Sequence, residues 1–403
     1  MRKQDGFPFF EQPDFQPPIG LFSCAEEAKA RGTIVLENAA PSNRPRDIPA
    51  HTGLRGIAAL VVVVAHLKLE LMYPVPLVEW AVRFVQWKGQ AVDLFFILSG
   101  FVLCHVYGFR MKIDWKDYSA ARFARIYPLA LATMLILVAL DVYSYLRHGI
   151  ASENLDSSRI VLNTLLLNGI KDSWVFQGIN PPSWSISVEA FLYVTVFPLL
   201  IFLTARGHRS SVRSNGFLLA TALLLLIGLY LFYEKIPIVG EHTRLLRGVF
   251  GFAAGYALRQ LWETGGHAPG RRAARWLSTV ALGLILAVLG TALPFVLLIP
   301  LLALIVHITY VDTDPLARVL SHPILRYLGE RSYSIYLIHT IAIEFTYRLL
   351  LYPTELSGGG FPLTSRLLTT TGVFVVTLLV SELSYRFFEH PVRDRIRRGL
   401  SSK

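Results

Sequence analysis

Long apolar runs recur from residue 54 almost to the end of the chain, broken by short polar stretches. Ten runs can be drawn, at about 54–75, 90–109, 125–146, 184–204, 216–233, 245–262, 276–290, 293–310, 331–351 and 366–386. A helix rises about 1.5 Å per residue, so roughly 20 apolar residues cross the hydrocarbon core of a bilayer. The runs predict an all-α fold, a polytopic membrane helix bundle of about ten transmembrane helices. Those at 276–290 and 293–310 are short and share a tight Gly290–Pro294 turn. Several runs carry polar residues, which predicts a hydrated interior between the helices.

Composition agrees with that picture, since 53% of the 403 residues are hydrophobic and 17% are charged, the balance of a membrane protein and not of a soluble domain. The formal net charge of +11 does not point to nucleic acid. Lys and Arg cluster in the short segments between apolar runs, as topology signals do, and no nucleic-acid-binding motif accompanies them. With a cytoplasmic N-terminus, the inside segments after the first helix carry about twice the Lys and Arg of the outside ones, which predicts both termini in the cytoplasm. Cys24 lies in the N-terminal tail and Cys104 in an apolar run, so neither a disulfide framework nor a metal site follows. Residues 1–50 lack the apolar core of a signal peptide, so the first helix is expected to direct insertion uncleaved. The expected division is an extended or disordered cytoplasmic tail at 1–50, a transmembrane domain at 51–395 and a basic tail at 396–403.

Arg55 and His66 stand out in the first run. Eleven helical steps separate them by roughly 16 Å and return them to one face. Ionisable groups at that depth normally face a polar cavity; the plainer reading is a hydrogen bond from His66 to a neighbouring helix and a snorkelling Arg55. In the second run, Asp93 calls for a partner, either a buried charge pair or a histidine whose tautomer it sets, and Ser99-Gly100 suits close helix packing. Arg122 and Arg125, three apart, share a helical face. Their guanidinium forks suit phosphate, while anchoring at the membrane surface is the alternative. In NPPSWSISVEAFLYVTVFP two prolines start a helix with Ser183 and Trp184. Ser185, Glu189 and Tyr193 then form one stripe at spacings of four. Gly251 and Gly255 fit a helix–helix contact, Ser332, Tyr336 and His339 share a face, and Glu389-His390-Pro391 is expected to terminate the last helix.

Together these stretches resemble the acyltransferase-3 family of integral membrane O-acyltransferases. Arg55 and His66 match its Arg-x10-His pattern, VDLFFILSGF its Val-Asp-x-Phe-Phe-x-x-Ser-Gly-Phe signature, and ARFARIYPL its Arg-x-x-Arg-Ile-x-Pro element. PPSWSISVEAFLYVTVFPLL resembles its Trp-Ser-Leu-Ser-Val-Glu segment, with Ile186 where leucine is usual, and LGERSYSIYLIHT and YRFFEHPVR resemble its late signatures. The likeness runs in order over about residues 50–395. It implies transfer of an acyl group, often acetyl, from cytoplasmic acyl-coenzyme A (acyl-CoA), a co-substrate and not a tightly bound cofactor, to a hydroxyl of an extracytoplasmic glycan or related acceptor. The family's histidine maps to His66 and its arginines to Arg55, Arg122 and Arg125. His66 is then the expected general base or transient acyl carrier, with Glu189 or Asp93 orienting it or holding acceptor hydroxyls. Arg55, Arg122 and Arg125 are expected at the donor's phosphates, and Trp184, Ser185, Tyr193, Tyr336 and His339 at the substrates. A bacterial inner membrane is the expected location, with the transferase acting alone or with a separate protein partner.

Two other classes fit part of the pattern. A transporter also has many spans with internal polar residues, though one half shows no repeat of the other. A membrane scaffold has no need of Arg55 and His66 on one face.

Overall fold

Pro49 opens the first helix five residues before the apolar run begins. A proline in the first turn gives up only a backbone N–H that the helix start leaves unpaired, and the Thr52 hydroxyl donates to Asp47 at 2.7 Å just ahead of it. The computed structural model describes residues 47–71, 88–110, 113–149, 152–170, 178–206, 211–232, 237–265, 271–291, 293–310, 314–348 and 362–401. The tail expected at 1–50 lies outside them apart from its last four residues.

No strand occurs among the described residues. The helices are α1 (Pro49–Leu71), α2 (Lys88–Tyr107), α3 (Trp115–His148), α4 (Ser157–Thr164), α5 (Ser183–Phe191), α6 (Phe197–Arg206), α7 (Val212–Phe232), α8 (Pro237–Thr264), α9 (Arg271–Gly290), α10 (Leu298–Ile308), α11 (Pro315–Leu320), α12 (Pro323–Glu330), α13 (Ser332–Thr346), α14 (Leu363–Ser384) and α15 (His390–Ser401). Each of the ten apolar runs overlaps helix, but among the described residues seven helical segments are long and apolar enough to cross a membrane. The others fall short for separate reasons. The apolar stretch Phe295–Ile308, which contains α10, is too short. Helix α8 carries Arg244, Arg247, Arg259 and Glu263, and α13 has 15 residues.

Local chemistry sets the ends. Asp114 accepts from the backbone N–H groups of Lys116 and Asp117 at the start of α3. Gly149, with φ 68°, ends that helix by donating to the Tyr145 carbonyl, the left-handed cap that glycine adopts without a Cβ clash.

Two π-turns interrupt the spans, Leu192–Val196 between α5 and α6 and Tyr385–Glu389 between α14 and α15. Each is followed at the second position by a proline, Pro198 or Pro391. In the wider register Phe197 donates to Leu192 and His390 to Tyr385, so the proline falls where the hydrogen-bond ladder is already changing step. This overturns the expectation that Glu389-His390-Pro391 ends the last helix: the chain passes Pro391 and stays helical to Ser401.

The core is built around α2, which packs against α1 on one side and α8 on another, with α7 beyond α8. The α2–α8 crossing is a backbone contact. A Cβ on Gly100 would lie 2.0 Å from the Phe252 carbonyl oxygen, and one on Gly255 would lie 1.9 Å from that of Ile97. Small residues let membrane helices approach this closely, as Gly251 and Gly255 lead one to expect. Helix α12 packs on α1, α13 between α1 and α14, and α15 returns against α3.

Candidate active site

A cavity of about 640 Å³ opens where the start of α1, the end of α2, the start of α3 and helix α15 come together. Its walls bring together seven of the eleven candidate catalytic and binding residues: Arg55, Arg122, Arg125, Ser185, Glu189, Tyr193 and Tyr336. They come from α1, α3, α5 with its π-turn, and α13, up to 281 positions apart in the chain (Arg55 to Tyr336).

Glu189 is held through one of its two oxygens. Its Oε1 accepts a hydrogen bond from Ser99 Oγ at 2.8 Å and another from the Tyr193 hydroxyl, while Oε2 has no hydrogen-bond partner among the described residues. Tyr193 is itself fixed from behind. In the π register its carbonyl would be paired by residue 198, but Pro198 has no N–H. The Tyr118 hydroxyl donates to that carbonyl instead, at 2.8 Å.

The two arginines on α3 divide their roles. Arg125 donates to Glu389 Oε1 at 2.7 Å, Ser334 holds the other carboxylate oxygen at 2.6 Å, and the guanidinium lies 5.4 Å from the centre of the Tyr333 ring. Arg122 rests between the rings of Tyr107 and Tyr193, at 5.9 and 5.5 Å, and its buried Nε has no hydrogen-bond partner. Arg55, half-buried on the facing wall, likewise makes no hydrogen bond or ion pair with a described residue. Two desolvated, uncommitted guanidinium groups beside a carboxylate favour an anionic ligand.

Four other candidates do not line this cavity: His66, His339, Asp93 and Trp184. His66 Nδ1 lies 2.8 Å from the Val62 carbonyl and 3.3 Å from His339 Nε2. His339 Nδ1 in turn lies 3.3 Å from the Ile335 carbonyl. Carbonyls only accept, so the network assigns the proton to Nδ1 of both rings. His339 Nε2 then accepts from His66, and His66 Nε2 keeps its lone pair free. Phe95 and Tyr336 stand between the cavity and this pair; their rings meet edge to face at 5.8 Å, and Tyr336 is 6.2 Å from the His339 ring.

Asp93 orients no histidine. It is wholly buried, accepts from Arg247 Nε at 3.0 Å and from the Tyr230 hydroxyl at 2.5 Å, and thereby ties α2 to α7 and α8. Trp184 packs on the same cluster, with Arg244 and Arg247 each 5.6 Å from its ring.

Sequence reasoning passed over Ser99, Phe95, Arg393 and Arg397, all of which line the cavity. Ser99 was visible only as half of a small-residue packing pair. Arg393 and Arg397 are four apart on one helical face, a signal hidden by their place in a basic tail that topology alone explains.

Among the described residues the fold is all-helical, with seven helical segments long and apolar enough to cross a membrane and a cavity lined by arginines, which is the build of an integral membrane protein. The family profile for the acyltransferase domain matches residues 49–386, and the chain belongs to that family, acyltransferase-3, an enzyme family of acyl-group transferases. The chain is 27% identical over 323 residues to acyltransferase MdmB of Streptomyces mycarofaciens, covering 75% of this chain and 81% of the relative. It is 24% identical over 379 residues to the peptidoglycan O-acetyltransferase OatA of Listeria monocytogenes, covering 86% of this chain and 56% of the relative. It thus spans only a little over half the length of the second relative. No solved structure matches the chain.

Proposed function

We propose that this chain is a membrane O-acyltransferase that moves an acyl group, acetyl in the first instance, from cytoplasmic acyl-CoA to a hydroxyl of an extracytoplasmic glycan or related acceptor, in a bacterial inner membrane. The observation that supports the reading best is the cavity in which Arg55 and Arg122, free of protein carboxylates, meet the Glu189–Tyr193 pair. The donor's diphosphate sits between the two arginines, and the pantetheine arm points along α1 towards His66, roughly 16 Å further on. Arg125 acts by shaping the wall through Glu389.

In the reaction the acceptor hydroxyl oxygen attacks the thioester carbonyl carbon. His66 Nε2 takes the hydroxyl proton, the carbon–sulfur bond breaks, and the proton passes to the departing thiolate, leaving an ester and free coenzyme A. A transient acyl group on the same Nε2 is the other route open to this geometry. Glu189 stands beside the donor with Oε2 available to an acceptor hydroxyl or to a cation. Ser185, 2.8 Å from the Tyr336 hydroxyl, and Tyr193 line the donor cavity, and Phe95 and Tyr336 have to part before the thioester reaches His66.

The test uses inverted membrane vesicles and acetyl-CoA labelled in the acetyl group. Wild type should release coenzyme A and leave label on glycan, and His66→Ala, inserted to the same level, should lose both by about 10²-fold or more. Equal turnover would remove His66 from the mechanism. No donor consumption by wild type with any acyl-CoA would overturn the transferase reading in favour of transport.

A further inference from the structure

The charged groups around the cavity do not balance, and the imbalance has a location. Apart from Glu189, whose Oε2 is open, its carboxylates are engaged within the protein: Asp114 caps α3, Asp47 takes the Thr52 hydroxyl and pairs with Arg326 at 3.7 Å, and Glu330 pairs with Arg331 at 3.1 Å. Asp117 also has a partner. The cations are not engaged to the same degree. Besides Arg55 and Arg122, the wall carries Arg393 and Arg397 from α15. Arg397 makes no hydrogen bond or ion pair with a described residue. Arg393 reaches only its neighbour Asp394, at 3.8 Å, and its buried Nε has no hydrogen-bond partner.

The two pairs stand on different elements, Arg55 on α1 and Arg122 on α3, Arg393 and Arg397 together on α15. Arg55, Arg122 and Arg393 are half-buried, and Arg397 is exposed at the rim. Two sets of guanidinium groups, one from α1 and α3 and the other from α15, fit a ligand with two separated anionic groups. They are more than a single phosphodiester requires.

We propose that α15 supplies a second anion subsite, in which Arg393 and Arg397 hold a phosphate remote from the thioester: the 3′-phosphate of the coenzyme A nucleotide. This rests on the donor assigned above and sharpens it. The cavity selects a phosphorylated nucleotide thioester over one ending at the pantetheine phosphate or lacking the 3′-phosphate. The passage of the helix through Pro391 acquires a purpose, because a helix stopping at Glu389 would leave the rim without either arginine.

The experiment measures binding of coenzyme A and of 3′-dephospho-coenzyme A to the full chain in nanodiscs of neutral phosphatidylcholine. Wild type should bind coenzyme A about 10-fold more tightly than the dephospho form, the scale of one charge-assisted contact. Arg393→Gln/Arg397→Gln should abolish that difference, and Arg393→Lys/Arg397→Lys, which keeps the charge, should restore part of it. Arg122→Gln should weaken both ligands alike. Equal binding of both ligands by wild type, or an undiminished preference in the Gln pair, would overturn the subsite while leaving the donor reading in place. Failure of wild type to bind either ligand would overturn both. Arginine-dependent binding to nanodiscs containing phosphatidylglycerol in place of coenzyme A would assign the rim to a lipid headgroup and overturn the subsite. A loss of the monodisperse, folded protein in the Gln pair leaves the Lys pair and the wild-type ratio to decide.

Discussion

Two carboxylates in neighbouring helices, Asp93 wholly buried and Glu189 half-buried, have opposite surroundings, and that difference decides what each does. Both oxygens of Asp93 are occupied, by Arg247 and Tyr230. Removing one partner of a buried pair strands the other's charge at a cost of about 3–5 kcal/mol. Asp93→Ala should therefore lower the thermal unfolding temperature of the purified protein sharply, with any fall in turnover tracking the folded fraction. A fully stable but inactive Asp93→Asn would return the residue to the chemistry. Glu189 keeps one oxygen free. Gln at 189 still accepts from Ser99 and Tyr193 through its amide oxygen, so Glu189→Gln should melt within about 1 kcal/mol of wild type. Its turnover should fall about 10²-fold or more if the carboxylate assists proton transfer, and a steady-state assay against the melting curve separates the two effects.

Helices here are held by how closely their backbones come together. At the α2–α8 crossing there is no room for a side chain, so Gly255→Leu should destabilise by about 3 kcal/mol. Gly228 on α7 has nothing within 4 Å of its would-be Cβ, so Gly228→Ala should be neutral or slightly stabilising through helix propensity. Thermal melts of the pair in one detergent check the contrast. The glycine contact was readable beforehand because small residues at spacings of four announce close packing. The π-turns were not readable: a proline after an apolar run signals termination as strongly as it signals a change of register, and the choice depends on tertiary partners such as Tyr118. Likewise Arg55, Arg122, Glu189 and Tyr193 announced themselves by charge or spacing within a run. That Asp93 belongs to Arg247, 154 positions away in sequence, has no local signature. The same holds for the partnering of His66 with His339 across 273 positions.

Across the bundle, the start of α1, the start of α3 and the end of the chain converge on one rim, which is the side that Lys and Arg counts assign to the cytoplasm. With that orientation, a membrane-impermeant maleimide should label Cys24 only after the cells are permeabilised, while a cysteine introduced at Ser152, beyond the far end of α3, should react on intact cells. The reverse pattern would invert the protein and put the cavity on the wrong side for a cytoplasmic donor. The same cavity ends against Phe95 and Tyr336, short of the paired histidines. A charge-lined passage open from face to face would conduct, and a cell maintaining a membrane potential would lose it through every idle copy. On the reading proposed above, the Phe95–Tyr336 contact closes the donor cavity short of the paired histidines, so the cavity forms no such passage there.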